Sequence, residues 1–440
     1  MRRPNRVYVA AVFCVAFALA VAVAGAQSRG AGARRPVVGA PPPPPPEPPA
    51  TVSRNAQGGV SVRAVRITEP IKVDGKLDED VYRAIPAISD FIQQDPVEGE
   101  PATEKTETWV LFDDRNIYIS ARCWDSHPER EIANEMRRDG TSILQNETFS
   151  VIFDTFHDKR NGFVFYLTPL AGLMDIQVTD ESNRNADWNT VWNAVTGKFE
   201  HGWTVEMAIP FRSLRYNPGP NQVWGINFRR VVRWKNEWSY LTRIPSFLSS
   251  SALFRVSLGA TLLGLDVPSG GMNLELKPYG ISGLRTDRVA KPAFANKGDR
   301  DFGFDAKYGV TKSLTADFTY NTDFAQVEDD QQQVNLTRFT LYFPEKREFF
   351  LEGQGTYGFG GGSGNTVTPV MFFSRRIGLN NGKPVPIRAG GRMTGKAGRH
   401  TIGALNIQGD DEPASASLAT NFSVLRVKRD LLKRSYVGAI

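Results

Sequence analysis

Cysteine and histidine are scarce in this chain, with 2 and 4 among 440 residues. Cys14 falls inside an N-terminal apolar run, which leaves Cys123 alone in the folded body and excludes a disulfide or a cysteine-based metal centre there. A single cysteine in a strand-like stretch serves packing more often than chemistry. His127, His157, His201 and His400 are far apart, and none has the spacing of a zinc ligand. The sequence also lacks a Gly-x-Ser-x-Gly nucleophile elbow and a phosphate-binding loop. No basic stripe with interleaved aromatics is present. Of the net charge of +6, part comes from Arg2, Arg3, Arg6, Arg29, Arg34 and Arg35, outside the folded region, and the remaining charges are mixed in sign. Nucleic acid is therefore not an expected partner.

What the sequence does contain points to β structure. Its 40 Gly, 27 Phe and 12 Tyr favour strands joined by many turns. The first strong local signal is 73–85: Asp74-Gly75 suits a turn with positive φ, and Leu77, Val81 and Ile85 follow at helical spacing behind acidic residues. Upstream, Arg2, Arg3 and Arg6, the apolar run Val7 to Val23 and Ala24-Gly25-Ala26 read as a secretory signal peptide over residues 1–26. The run is short of a comfortable bilayer span, although an N-terminal anchor is the alternative. Residues 27–59, with Pro41 to Pro46 and Pro48-Pro49, read as a disordered or extended proline-rich spacer.

Short alternating stretches then recur at regular spacing: 61–67, 106–111, 116–122, 148–153, 162–167, 175–178, 192–196, 203–209 and 223–232. The expected fold is all-β, with an antiparallel, jelly-roll-like β-sandwich over residues 60–250. From residue 266 the pattern changes. Phe302, Phe304, Ala306, Tyr308 and Val310 alternate with Asp301, Gly303, Asp305, Lys307 and Gly309, and Leu314, Ala316, Phe318 and Tyr320 alternate with Ser313, Thr315, Asp317 and Thr319. Strands of about ten residues with one apolar and one polar face suit a membrane-type β-barrel, in which one face meets lipid and the other a wet lumen. A soluble sheet edge shows a similar alternation. Further candidates at 271–282, 333–343, 386–394, 401–408, 414–427 and 435–440 give a region, 266–440, expected to be an incomplete barrel, with the chain itself a fragment.

Five short stretches carry a resemblance: Val73-Asp-Gly-Lys-Leu-Asp-Glu-Asp80, Asn116-Ile-Tyr-Ile-Ser-Ala-Arg122 followed by Asp125, Glu147-Thr-Phe-Ser-Val-Ile-Phe-Asp154, Gly202-Trp-Thr-Val-Glu-Met-Ala-Ile-Pro-Phe211 and Trp224-Gly-Ile-Asn-Phe228. In this order they resemble carbohydrate-binding module family 9 over roughly residues 66–245. Downstream, Gln326 to Asp330, Asn335 to Arg338, Phe343 to Arg347, Phe349 to Gly353 and Ser374 to Gly378 resemble an uncharacterised bacterial family. In its members such a module precedes an outer-membrane β-barrel-like region. The resemblance implies a sandwich that binds polysaccharide or oligosaccharide by stacking sugar faces on aromatic rings, sometimes with calcium. It implies a clamp of two tryptophans, with Trp238 at one position and Ile143-Leu144-Gln145 at the other.

Trp188 and Trp192, set among Asn185, Asp187, Asn189 and Asn193, are the other candidate carbohydrate-binding residues, with sandwich core as the competing role. Asp154, Asp158 and Asn161 offer hard oxygen ligands for calcium, against a solvated turn neutralised by Lys159 and Arg160. The functional expectation is a glycan-binding envelope protein tethered to an outer-membrane barrel, with the periplasm or outer membrane as its place and membrane lipid as a second partner. The alternatives are a hydrolase of O-glycosyl bonds in carbohydrate catabolism and an outer-membrane transport or docking protein. For a hydrolase, the carboxylates on offer are Asp125, Glu147, Asp154, Asp175, Asp180 and Glu206.

Overall fold

A computed structural model describes residues 39–217, 219–267, 274–289, 292–311, 313–322, 345, 347–359, 370–380, 383–413, 416–432 and 435–440. The signal segment 1–26, the start of the spacer, the strand expected at 333–343 and the stretches 326–330 and 335–338 lie outside the described residues.

The expected sandwich is present. Its larger sheet has 10 strands, and a strip of it runs Val60–Arg63, Ala260–Val267, Gly219–Val232, Thr148–Asp154, Gly162–Leu167 and Leu173–Thr179. Its smaller sheet has five: Asn193–Phe199, Gly202–Pro210, Asn116–Trp124, Thr106–Phe112 and Val65–Arg66. Alternate residues of both sheets face one core. Phe149, Val151, Phe153, Phe163, Phe165, Trp224, Ile226 and Phe228 come from one side, and Ile117, Ile119, Cys123, Trp203, Val205 and Met207 from the other. Cys123 is thus packing, as expected of a lone strand cysteine.

Three details differ from expectation. The sandwich is not wholly antiparallel: Val60–Arg63 pairs parallel with Ala260–Val267, and Val65–Arg66 parallel with Thr106–Phe112. It runs past residue 250, because Leu262, Leu265 and Val267 fill its core. The proline-rich stretch is not a free spacer over its described part. Val52–Arg54 is an edge strand, Pro43 and Pro46 are buried three residues apart, and Ser61 Oγ donates to Pro43 O at 2.8 Å. A period of three suits a polyproline strip laid on a surface.

The turn at Asp74-Gly75 forms, with Gly75 at φ 84°, and leads into a single helical turn, Val81–Ala84. Glu206 holds this cap on the smaller sheet. Its Oε2 accepts the backbone N–H groups of Asp74 and Gly75 at 2.9 and 2.7 Å, while its Oε1 accepts the Tyr82 hydroxyl at 3.0 Å.

Beyond residue 270 seven strands form one antiparallel meander: Leu274–Asp287, Phe294–Thr311, Leu314–Tyr320, Ile387–Ala397, His400–Gly409, Asn421–Leu432 and Ser435–Ala439. Among the described residues this sheet is open, with its first and last strands at the two edges, so the expected barrel is not closed here. The predicted alternation holds, with the polar face inward. Thr315, Asp317, Thr319, Arg392, Thr394, Arg426 and Lys428 are buried, whereas Leu276, Phe302 and Phe318 are 62%, 63% and 58% exposed. Asp317 and Arg392 face each other in register and pair at 2.7 Å.

The sandwich covers the polar face. Asp158 and Asp430 flank Lys396, Asp430 also pairs with Arg160 at 2.7 Å, and Asp180 pairs with Lys428 at 2.9 Å. The helical turn Glu348–Leu351 lies between the two bodies: Asn185 Nδ2 donates to Leu351 O at 2.7 Å and Gly353 N to Gln177 Oε1 at 3.1 Å. Glu352, paired with Arg215 at 2.8 Å and with Lys307, completes the seam. Burial opposes its charge, but these two cations and Arg392 hold its carboxyl far below the usual carboxylate range.

Because three donors lose their acceptor together, Glu206→Ala is expected to cost about 2 to 4 kcal/mol. The check is chemical unfolding of the full chain in detergent, read by tryptophan fluorescence; an unchanged midpoint would remove Glu206 as the clasp.

Candidate functional site

Each carboxylate considered for glycoside hydrolysis has a structural occupation. Asp125 accepts His127 N at 2.8 Å, and Asp175 accepts Trp192 Nε1 at 3.1 Å and Thr190 N at 2.8 Å while pairing with Arg138 at 2.5 Å. Asp180 is tied to Lys428 and Glu206 to the cap. Glu147 faces Arg230 at 3.2 Å with both side chains sealed from solvent, and the Arg230 guanidinium lies 4.9 Å over the Trp203 ring. Burial, which outweighs the attraction of Arg230, pushes the Glu147 carboxyl up to about 7. No two of these groups converge on an open cleft, so the geometry offers no acid and nucleophile pair.

The calcium candidates do meet, but their oxygens are taken. Asp154 accepts the N–H groups of Asp158 and Lys159 at 3.1 and 2.7 Å. Asp158 accepts Arg160 N and Asn161 N at 2.9 Å each, Asn161 Nδ2 at 2.6 Å and the Lys396 ammonium. Burial and the neighbouring Asp158 raise the Asp154 carboxyl well above its ordinary range. Burial also opposes ionisation of Asp158, but Lys396 holds it charged. A site already filled by an ammonium group and backbone N–H groups does not fit calcium, and no group of three or more metal-type side chains occurs among the described residues.

The tryptophans separate into two kinds. Trp188 and Trp192 are each only 6% exposed and belong to the sandwich core: Trp188 packs on Phe163 with ring centres 5.0 Å apart, and Trp192 on Phe165 at 5.1 Å. The expectation that they present faces to a sugar is corrected; their rings anchor the 186–193 loop by burial. Trp238 behaves differently. It sits half-buried on the short strand Glu237–Tyr240, which pairs Trp238 with Val231 and Asp95. The Arg229 and Arg233 guanidinium carbons lie 5.5 and 6.0 Å from its ring centre. At the other clamp position, Ile143 is buried and Leu144 is 43% exposed on the 3-10 turn Thr141–Gln145. Arg233 spans the two, donating to Leu144 O and, at 3.3 Å, to Asn146 O. A guanidinium thus stands next to Trp238 where the resemblance implies a second indole.

Nearby, Trp234 is also half-buried, with Arg130 at 4.6 Å and Lys235 at 4.8 Å over its ring and its Nε1 donating to Asp125 at 3.4 Å. These arginines were missed from sequence. A signal existed: Arg229 and Arg230 are adjacent in a strand, so they face opposite sides of the sheet, where Arg230 is buried against Trp203 and Arg229 is buried against Tyr166 and Trp238.

The strand register places this end. Trp238 is opposite Val231, which pairs with Thr148, whereas the ionic seam is built on Asp154 and the loop after it. Trp238 therefore lies at the end of the sandwich remote from the second sheet.

This is a β-sandwich with a cation-flanked tryptophan at one end and a sheet with its polar face covered at the other. Parts of the chain are similar to known proteins. Residues 73–232 match the family described as carbohydrate family 9 binding domain-like, and residues 271–393 match a domain of unknown function, DUF5916. Among solved structures, a carbohydrate binding module family 9 from Caldicellulosiruptor kristjanssonii in complex with cellotriose is 14% identical. The match covers 47% of this chain and 95% of that one, with a TM-score of 0.35. The module from that organism in complex with glucose is 13% identical, covers 47% and 98%, and has a TM-score of 0.35. No curated protein matches the chain.

Glu147 gives a pH prediction. Its folded carboxyl is raised from the ordinary 4.5 to about 7, so the folded state binds a proton that the unfolded state releases, and stability falls as pH rises from about 4.5 to 7. The fall in unfolding midpoint between pH 5 and pH 8 is expected to shrink in Glu147→Gln; an equal fall in both proteins would refute the assignment.

Proposed function

We propose that this chain is an envelope glycan receptor: a carbohydrate-binding sandwich seated on a membrane-embedded β-sheet. The observation that carries the first part is the family 9 match over residues 73–232 together with a half-buried Trp238 at the remote end of that sandwich. An indole face stacks on the apolar face of a sugar ring, and the half-buried Arg233 guanidinium beside it suits hydroxyls or carboxylates at its rim. Without a second tryptophan, the sugar is held on one aromatic face and by hydrogen bonds, which favours moderate affinity for a polysaccharide or oligosaccharide.

The second part is supported by the sheet's inverted faces. A soluble protein buries its rings and exposes its charges; here Phe302, Phe304, Phe318 and Tyr320 point outward while Asp317 and Arg392 are covered. A contiguous apolar face of this kind requires an apolar medium, and the hydrocarbon of an outer membrane supplies it. The N-terminal signal pattern fits export to that envelope.

Two outcomes are expected. On a glycan array, the full chain in detergent is retained, and Trp238→Ala loses roughly tenfold in affinity or more, equivalent to about 1.4 kcal/mol. A silent array would leave the sandwich as architecture. Phe318→Arg on the lipid face is expected to lower stability in lipid vesicles by about 2 to 4 kcal/mol. Unimpaired folding and insertion would mean that this face is covered by protein.

A further inference from the structure

The connections of the second sheet differ sharply between its two rims. At one rim Phe294–Thr311 turns into Leu314–Tyr320, Ile387–Ala397 into His400–Gly409, and Asn421–Leu432 into Ser435–Ala439, each across two residues. At the other rim the joining stretches are 288–293, 321–386 and 410–420. The described strands of this sheet all pair antiparallel, so the short turns share one side and the long connections the other.

Two independent features put the sandwich at the short-turn rim. The first is the ionic seam. Lys396, beside the 398–399 turn, pairs with Asp158 of the sandwich, and Lys428 and Asp430, close to the 433–434 turn, pair with Asp180 and Arg160. The second is the path of the chain. Ala260–Val267 is the last strand of the sandwich, and the next strand opens at Leu274 opposite Tyr308, near the end of Phe294–Thr311 that leads into the first short turn. The chain thus passes from the sandwich into the sheet at that same rim.

From this asymmetry we infer that the sandwich faces the periplasm and that the long connections lie outside the cell. Strands that cross a bacterial outer membrane are joined by short turns on the periplasmic side and by longer loops on the outer side. The signal pattern over residues 1–26 delivers the chain to the periplasm first, where a body that precedes the membrane strands has only to remain. The inference rests on the reading of the sheet as membrane-embedded and of the sandwich as a glycan-binding module, and it adds to them a side and a ligand class. Trp238, at the end of the sandwich remote from the sheet, stands in the periplasm away from the membrane. The glycans it meets are the wall polymer and oligosaccharides small enough to have crossed the outer membrane. Intact polysaccharide outside the cell lies beyond its reach.

The test is labelling of the full chain by a membrane-impermeant maleimide in cells of a bacterium with an outer membrane, before and after that membrane is permeabilised. Cys123 is buried and Cys14 lies in the signal pattern, so the unaltered chain serves as the blank. Ala56→Cys reports the sandwich, on the turn between Val52–Arg54 and Val60–Arg63, and Ala419→Cys reports the 410–420 connection; both alanines are exposed, so neither change disturbs the fold. Label on Ala56→Cys is expected to rise at least tenfold on permeabilisation, and label on Ala419→Cys less than twofold. Any other pattern in a chain that fractionates with the outer membrane overturns the assigned side and leaves the membrane reading standing. A chain absent from that fraction overturns both, whatever the glycan array shows.

Discussion

A sheet with charges on one face and phenyl rings on the other can fold only if each face meets its own medium. Here the polar face is covered by ion pairs that cross from one body to the other: Asp158 to Lys396, Arg160 to Asp430, Asp180 to Lys428 and Arg215 to Glu352. Pairs of this kind add little net stability, because desolvation offsets their attraction, but removing one partner strands a buried charge at a cost of about 3 to 5 kcal/mol. The seam therefore enforces position. The sandwich cannot lift from the sheet without exposing or orphaning every one of these groups, so the two bodies act as one.

The same reasoning applies to the six carboxylates weighed for glycoside hydrolysis, which are spent on structural contacts. A catalytic acid needs an open approach and a lone pair to spare. Asp154 spends its oxygens on the N–H groups of its own loop, Asp175 on Arg138, Thr190 and Trp192, and Glu206 on the Asp74-Gly75 turn. Glu147 has its raised pKa, which in a cleft would attract notice, but it lies sealed beside Arg230 and Trp203. What the sandwich leaves partly exposed at its remote end is of another kind, the Trp234 and Trp238 indoles and the Arg233 guanidinium.

Much of this was legible in the sequence, and the parts that were not have physical reasons. Period-two alternation reported the strands and, in 301–320, which face of the second sheet is apolar, because that pattern is local. It did not report Ala260–Val267 as part of the sandwich, since a parallel pairing with Val60–Arg63 about 200 residues away leaves no local trace. The proline run looked like a spacer because composition cannot show that Pro43 and Pro46 find a surface to lie on. The Asp187-Trp188-Asn189 stretch drew attention as a surface loop with presented rings, because polar neighbours cannot show that Trp188 and Trp192 turn inward and anchor it.

The ionic seam also sets where the exposed tryptophan stands. Trp238 belongs to the end of the strand Thr148–Asp154 near Thr148, and the seam to the end near Asp154. Seven extended residues separate these ends by about 20 Å. A ligand stacked on Trp238, as proposed above, would therefore be held at that distance from the seam, because the pairs that cover the polar face keep the sandwich in one position on the sheet.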